Sequence, residues 1–187
     1  RSDWLEKVSE NDAVLIAGDI SWAMTLEQAL PDLRALGDLP GKKIFIRGNH
    51  DYWWSGITAL RRSAPDGSFY FLQNDCVRFD GLVVCGSRGW SCPGSADFAE
   101  EDRKIYAREG ERFRLVFQSV EKARREGDKL ICMIHYPPFN AKKEDTLFTA
   151  AFEKYGADKV VYGHLHGNAG AYAMRTERNG IEYILTS

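Results

Sequence analysis

His50, His135, His164 and His166 are the four imidazoles of this 187-residue chain, and all stand at the exits of apolar runs. Lys43-Ile44-Phe45-Ile46 leads into Arg47-Gly48-Asn49-His50-Asp51, and Leu130-Ile131-Cys132-Met133-Ile134 leads into His135-Tyr136-Pro137-Pro138. Lys159-Val160-Val161-Tyr162 leads into Gly163-His164-Leu165-His166-Gly167. A fourth run, Ala13-Val14-Leu15-Ile16-Ala17, ends in Gly18-Asp19. An apolar run closed by glycine and polar groups reads as a buried strand delivering side chains at its tip. In open α/β sheets, ligands bind at such tips.

The polar tips Asp19, Asn49, His50, Asp51, His135, His164 and His166 together offer imidazole, carboxylate and amide oxygen. Such a set suits Mn, Fe, Co, Ni or Zn. Without thiolate it does not read as a structural zinc site, and its imidazoles disfavour Mg and Ca. On an extended strand, His164 and His166 would point the same way about 7 Å apart, which suits two neighbouring ions. Two ions about 3.5–4 Å apart, bridged by a carboxylate, clamp a phosphoryl group in transfer. Asp19 is the natural bridge. His50 follows Asn49, so with Asn49 facing metal its ring points elsewhere, free to bind a phosphoryl oxygen or protonate a leaving group. Asp51 reads as the cap of the next helix. Trp22, Trp53, Trp54 and Trp90 read as walls of the site, although stacking on a base is open to them. Arg47 and Arg88 could meet a phosphate, with solvated or structural roles the expected ones.

The elements that position these tips alternate. A helix is expected over 1–10, a strand over 13–17, and a helix opened by the capping box Thr25-Leu26-Glu27-Gln28. Pro31 should kink or restart that helix. A helix over 55–63 follows the second strand. Segments 69–72, 76–79 and 82–86 read as an antiparallel meander of a second sheet, with Asp80-Gly81 as a hairpin turn. A charged helix spans 97–126 with Gly110 weakening its middle, and a shorter helix spans 146–155. The chain closes on a hairpin, 170–175 and 181–185, turned at Asn179-Gly180. Two facing sheets with helices outside accommodate this order most simply.

The net charge of −2 carries no footprint for nucleic acid or an anionic membrane. Cys76, Cys85, Cys92 and Cys132 form no C-x-x-C pair and read as free thiols in a reducing, cytoplasmic setting. No apolar run approaches the roughly 20 residues of a membrane span.

Gly18-Asp19, Gly48-Asn49-His50-Asp51, His135 and Gly163-His164-Leu165-His166, in that order with Asp19 and Asn49 thirty positions apart, resemble the calcineurin-like metallophosphoesterase superfamily. The longer stretches Gly18 to Met24, Arg47 to Trp54 and His135 to Asn140 are similar to a bacterial branch of predicted phosphohydrolases. The resemblance implies a four-layer α/β/β/α sandwich of two mixed sheets and a dinuclear site. It implies that Asp19 bridges the ions, that Asn49, His135 and His164 hold one of them and His166 the other, and that His50 assists the leaving group. The family's opening Asp-x-His strand has no counterpart before Asp19. Residues 1–187 therefore read as one domain lacking its first strand and shortened at the C-terminus. One metal position then stays incomplete, activity is weak or absent, and the edge of 13–17 is exposed. The expected reaction is cleavage of a phosphomonoester or phosphodiester by a metal-activated hydroxide. A non-catalytic binding module and a nuclease are the rival readings. Substrate, physiological metal and oligomeric state are not legible.

Overall fold

The computed structural model describes residues 2–166 and 172–186. Residues 170 and 171 of the expected final hairpin, and Gly167, lie outside the described residues. Five helices and nine strands are described: α1 (Ser2–Lys7), β1 (Ala13–Ile16), α2 (Leu26–Gly37), β2 (Lys42–Phe45), α3 (Ile57–Arg62), β3 (Phe69–Phe71), β4 (Asp75–Phe79), β5 (Leu82–Ser87), α4 (Asp102–Ala123), β6 (Lys129–Ile134), α5 (Leu147–Lys154), β7 (Lys159–Tyr162), β8 (Arg175–Arg178) and β9 (Ile181–Leu185).

The strands form a three-stranded sheet, β1-β2-β3, and a six-stranded sheet, β4-β5-β6-β7-β9-β8. The smaller sheet is parallel throughout, and the larger is mixed, with β4 and β8 antiparallel to their neighbours. Alternation along each strand builds the layers. Ile44, Ile46, Val84 and Met133 meet between the sheets. Phe45, on the other face of β2, packs with Ala29 and Leu33 of α2 and Leu60 of α3. Val83, Cys85, Cys132 and Ile134 pack outward against Phe113, Val116 and Phe117 of α4 and Phe148 and Phe152 of α5. The order is therefore helices, sheet, sheet, helices, as the sequence led one to expect.

One strand differs from its expected place. β3 leaves the meander and pairs parallel to β2, with Lys43 opposite Phe69 and Phe45 opposite Phe71. The α3 crossover returns the chain beside β2, and Phe69 and Phe71 stack on Phe45. Only β4 and β5 form the expected hairpin across Asp80-Gly81. α2 runs through Pro31 without interruption, its buried Ala29 and Leu33 anchoring both halves. Thr25 Oγ1 accepts from Gln28 N–H, but the Gln28 amide reaches back to Met24 N–H, one residue before the expected box partner. In α5 the box is closed by two threonines, Thr146 and Thr149. α4 starts at Asp102, five residues later than expected, because the Asp102 carboxylate already accepts from Ala99 N–H and Trp90 Nε1–H.

Met133 is fully buried between the sheets, whereas Met174 is exposed. Met133→Ala should lower unfolding stability by about 2–5 kcal/mol and Met174→Ala by less than about 0.5 kcal/mol, read from urea denaturation midpoints at constant slope.

Candidate metal centre

β1, β2, β6 and β7 all end at one rim, in parallel register through their own sheets. The first two tips are locked together by a single side chain. Asp51 is wholly buried. Its Oδ2 accepts from Asp19 N–H (2.8 Å) and Gly48 N–H (2.7 Å). Its Oδ1 accepts from Ile20 N–H (2.8 Å), Ser21 N–H (3.4 Å) and Trp53 Nε1–H (3.0 Å). Asp51 therefore does not cap α3, whose N-cap is Gly56. It gathers orphan amides of two strand tips instead, because those tips have no ladder partners left. The bonds from Gly48 N–H, three residues before Asp51, and from Trp53 Nε1–H, two residues after it, are the sequence-local part of this role.

Two glycines let the tips touch. A Cβ at Gly18 would meet Gly48 N at 2.6 Å and His135 Nδ1 at 2.7 Å, and one at Gly48 would fall onto the Asp19 carboxylate. Gly18 also has φ +98° and Asp19 φ +55°, a left-handed turn that aims the carboxylate inward. His50 N–H donates to Asp19 Oδ1 at 2.8 Å. Asp19 Oδ2 is buried without a hydrogen-bond partner.

His135, 1% exposed, is oriented from its far side. Nδ1–H donates to the Ala17 carbonyl at 2.7 Å, which leaves Nε2 with the lone pair. That Nε2 lies 2.7 Å from Asn49 Oδ1, 3.3 Å from His164 Nδ1 and 3.4 Å from Asp19 Oδ2. His164 Nδ1 is 2.8 Å from Asn49 Oδ1. Burial, above all, pushes the His135 pKa down, and the Arg88 charge acts in the same direction against the Ala17 carbonyl and Asp19. Burial and then His135 likewise hold His164 below its ordinary value. Neutral imidazoles are the ligating form.

The unprotonated Nε2 thus faces two oxygen lone pairs, an arrangement that repels unless a cation sits among them. The facing distances of 2.7–3.4 Å are those between donors about 2.0–2.1 Å from a shared ion. Ligand atoms of Asp19, His135 and His164 all lie within 4.8 Å of one another. The donor set therefore fits a mid-series divalent ion, and the carbonyl behind His135 is the outer partner such a ligand needs.

His166 lines the same groove as Asp19, His135 and His164 but is exposed and not part of that gathering. The extended pair expected of His164 and His166 does not form. β7 stops at Tyr162, His164 has φ +72°, and Leu165 N–H donates to the Gly163 carbonyl. Gly163 N–H still donates to the His135 carbonyl, and the chain turns at the next residue. His50 lies beside the cluster, its ring stacked on exposed Trp22 with centroids 4.3 Å apart. Tyr52 Oη approaches His50 Nδ1 at 3.5 Å. Tyr136, to which the sequence assigned no role, packs on His164 with centroids 4.3 Å apart. Trp53 and Trp54 are core residues, and Trp90 packs on Tyr136. The four cysteines are free, and burial pushes the Cys92 thiol up to about 12, away from the reactive thiolate form.

Asp51→Asn would set an amide N–H against backbone N–H groups. It should destabilise the chain by at least about 2 kcal/mol in urea unfolding and weaken Mn(II) binding, because buried unmet donors cost about 1–3 kcal/mol each.

A comparison with curated proteins finds no match. A family model described as calcineurin-like phosphoesterase matches residues 2–168, a span that takes in every tip described above. No helix among the described residues is long and apolar enough to cross a membrane.

Proposed function

Because the chain belongs to the calcineurin-like phosphoesterase family, we propose that it is a metal-dependent phosphohydrolase, cleaving phosphomonoesters or phosphodiesters at the rim of β1, β2, β6 and β7. The observation that carries the reading is the convergence of Asp19 Oδ2, Asn49 Oδ1, His135 Nε2 and His164 Nδ1 on one point. Asp19, Asn49, His135 and His164 would hold one divalent ion. Asp19 and His166 are the residues available to a second, with Mn, Fe, Zn, Co or Ni the candidates. A bound divalent ion supplies Lewis-acid polarisation of a phosphoryl oxygen and makes water acidic near neutral pH.

The chain's own groups divide the remaining work. Tyr136 packs against His164 and keeps that ring from turning away. Trp22 shelves the His50 ring beside the cluster, where it can give a proton to the departing oxygen. An apolar groove of about 530 Å³, walled by Tyr136, Leu165 and Tyr172, runs past His164 and suits the organic part of an ester. The retained ligand set disfavours a purely structural module.

Calorimetric titration with Mn(II) should resolve one tight and one weaker equivalent, and His135→Ala should abolish the tight one. Two equivalent tight sites would contradict the unequal ligand sets. With Mn(II), p-nitrophenyl phosphate, bis-p-nitrophenyl phosphate and cyclic nucleotides form the substrate screen, and chelation should abolish any turnover. His50→Ala should lower kcat by roughly 10²–10⁴-fold, the range of a positioned general acid. A variant as fast as its parent on every ester removes that role from His50.

A further inference from the structure

A further cavity, of about 300 Å³, shares no lining residue with the groove past His164 and is lined by Arg47, Arg88, Arg108 and Arg112 with Asn74 and Ser87. The arginines come from the tips of β2 and β5 and from one face of α4, so no single element explains their meeting. Glu109, wholly buried, is the carboxylate paired with them. Its Oε1 accepts from Arg112 at 2.6 Å and from Arg88 at 3.4 Å. Four guanidinium groups against one carboxylate leave an excess of positive charge in a concave site. Arg47 Nε and Arg88 Nε are buried without hydrogen-bond partners, and Arg47 and Arg108 form no ion pair among the described residues. Burial and then Arg88 disfavour the Arg47 charge, which Asp51 only partly offsets. Ser87 Oγ donates to Asn74 Oδ1 at 2.9 Å, so the amide N–H pair of Asn74 remains as further donors.

Guanidinium forks and amide N–H donors around a small cavity match tetrahedral oxyanions, whose oxygens accept several bonds at once. The cavity holds about ten waters' volume, enough for a phosphoryl group and small for a macromolecule. It adjoins the metal cluster through the backbone: the Arg88 carbonyl accepts from His135 N–H at 2.9 Å, and Arg47 precedes Gly48 and Asn49. We propose that this arginine-lined cavity is an anion site for a phosphoryl-type group distinct from the one at the imidazole cluster. The group is either a second phosphoryl carried by the substrate or a free phosphate. The substrate source rests on the phosphohydrolase reading above, whereas anion binding does not.

Chelator-treated protein titrated calorimetrically with inorganic pyrophosphate should bind close to one equivalent, more weakly as salt rises. Arg108→Ala and Arg47→Gln should each weaken binding roughly tenfold or more, the loss expected for one charged hydrogen-bonding partner. Arg108 is exposed, so its removal leaves the fold in place. His135→Ala in the same chelated state should bind as its parent does. Absence of saturable binding, parental affinity in both arginine variants, or loss confined to His135→Ala overturns the proposal. With Mn(II) restored, Arg108→Ala raising KM for a bisphosphorylated short-chain diol at least several-fold more than for p-nitrophenyl phosphate identifies the substrate's own phosphoryl as occupant. Equal effects on both esters, with pyrophosphate binding still arginine-dependent, identify free phosphate. If neither ester turns over, the substrate's own phosphoryl has no support as occupant, while the chelated titration still decides the arginine site.

Discussion

A buried carboxylate that accepts five N–H donors ties together parts of the chain some thirty residues apart. Asp51 takes the amides of Asp19, Ile20, Ser21 and Gly48 and the indole of Trp53. Strand tips are where ladder bonding stops, so their amides need acceptors, and the interior has no water to offer. The charge is tolerated because donors surround it, and those donors are in turn held at fixed positions. With the two tips pinned, the Asp19 carboxylate has one orientation left, its outer oxygen taken by His50 N–H and its inner oxygen facing the imidazoles. The backbone around the cluster is thus held in place by hydrogen bonds of the fold itself.

Between the sheets, close packing sets where the imidazoles arrive. Ile44, Ile46, Val84 and Met133 hold the two sheets face to face, which carries the ends of β2 and β6 to the same rim. The glycine contact between Gly18 and Gly48 then brings backbone to within a distance that any side chain would prevent. Packing of apolar residues and approach of polar ones are here two readings of the same constraint.

The strand tips were legible because apolar runs, glycine punctuation and histidine placement are local signals. The layer order followed from their alternation. What escaped depended on partners distant in sequence. The Asp51 acceptor role is invisible to side-chain patterning, since four of its five donors are backbone. β3 looked like its antiparallel successors because pairing direction is decided by the α3 crossover, not by the composition of 69–71. His164 looked extended because alternation continued past Tyr162, while the backbone turns there with a positive φ that side-chain patterning does not signal. The meeting of Arg47 and Arg88 with Arg108 and Arg112 was hidden because the latter two sit on a charged helix distant from both in sequence.

The bond from His135 Nδ1–H to the Ala17 carbonyl ties the most enclosed ring of the cluster to the end of β1, which among the described residues has a strand neighbour on one side alone. Proton placement on that imidazole is therefore governed by backbone at an edge strand of the smaller sheet. Fraying at that margin would free the ring to adopt its other tautomer while the six-stranded sheet and its helices stayed intact. Competence of the centre and integrity of the bulk fold are accordingly separable properties, with the former the more fragile of the two.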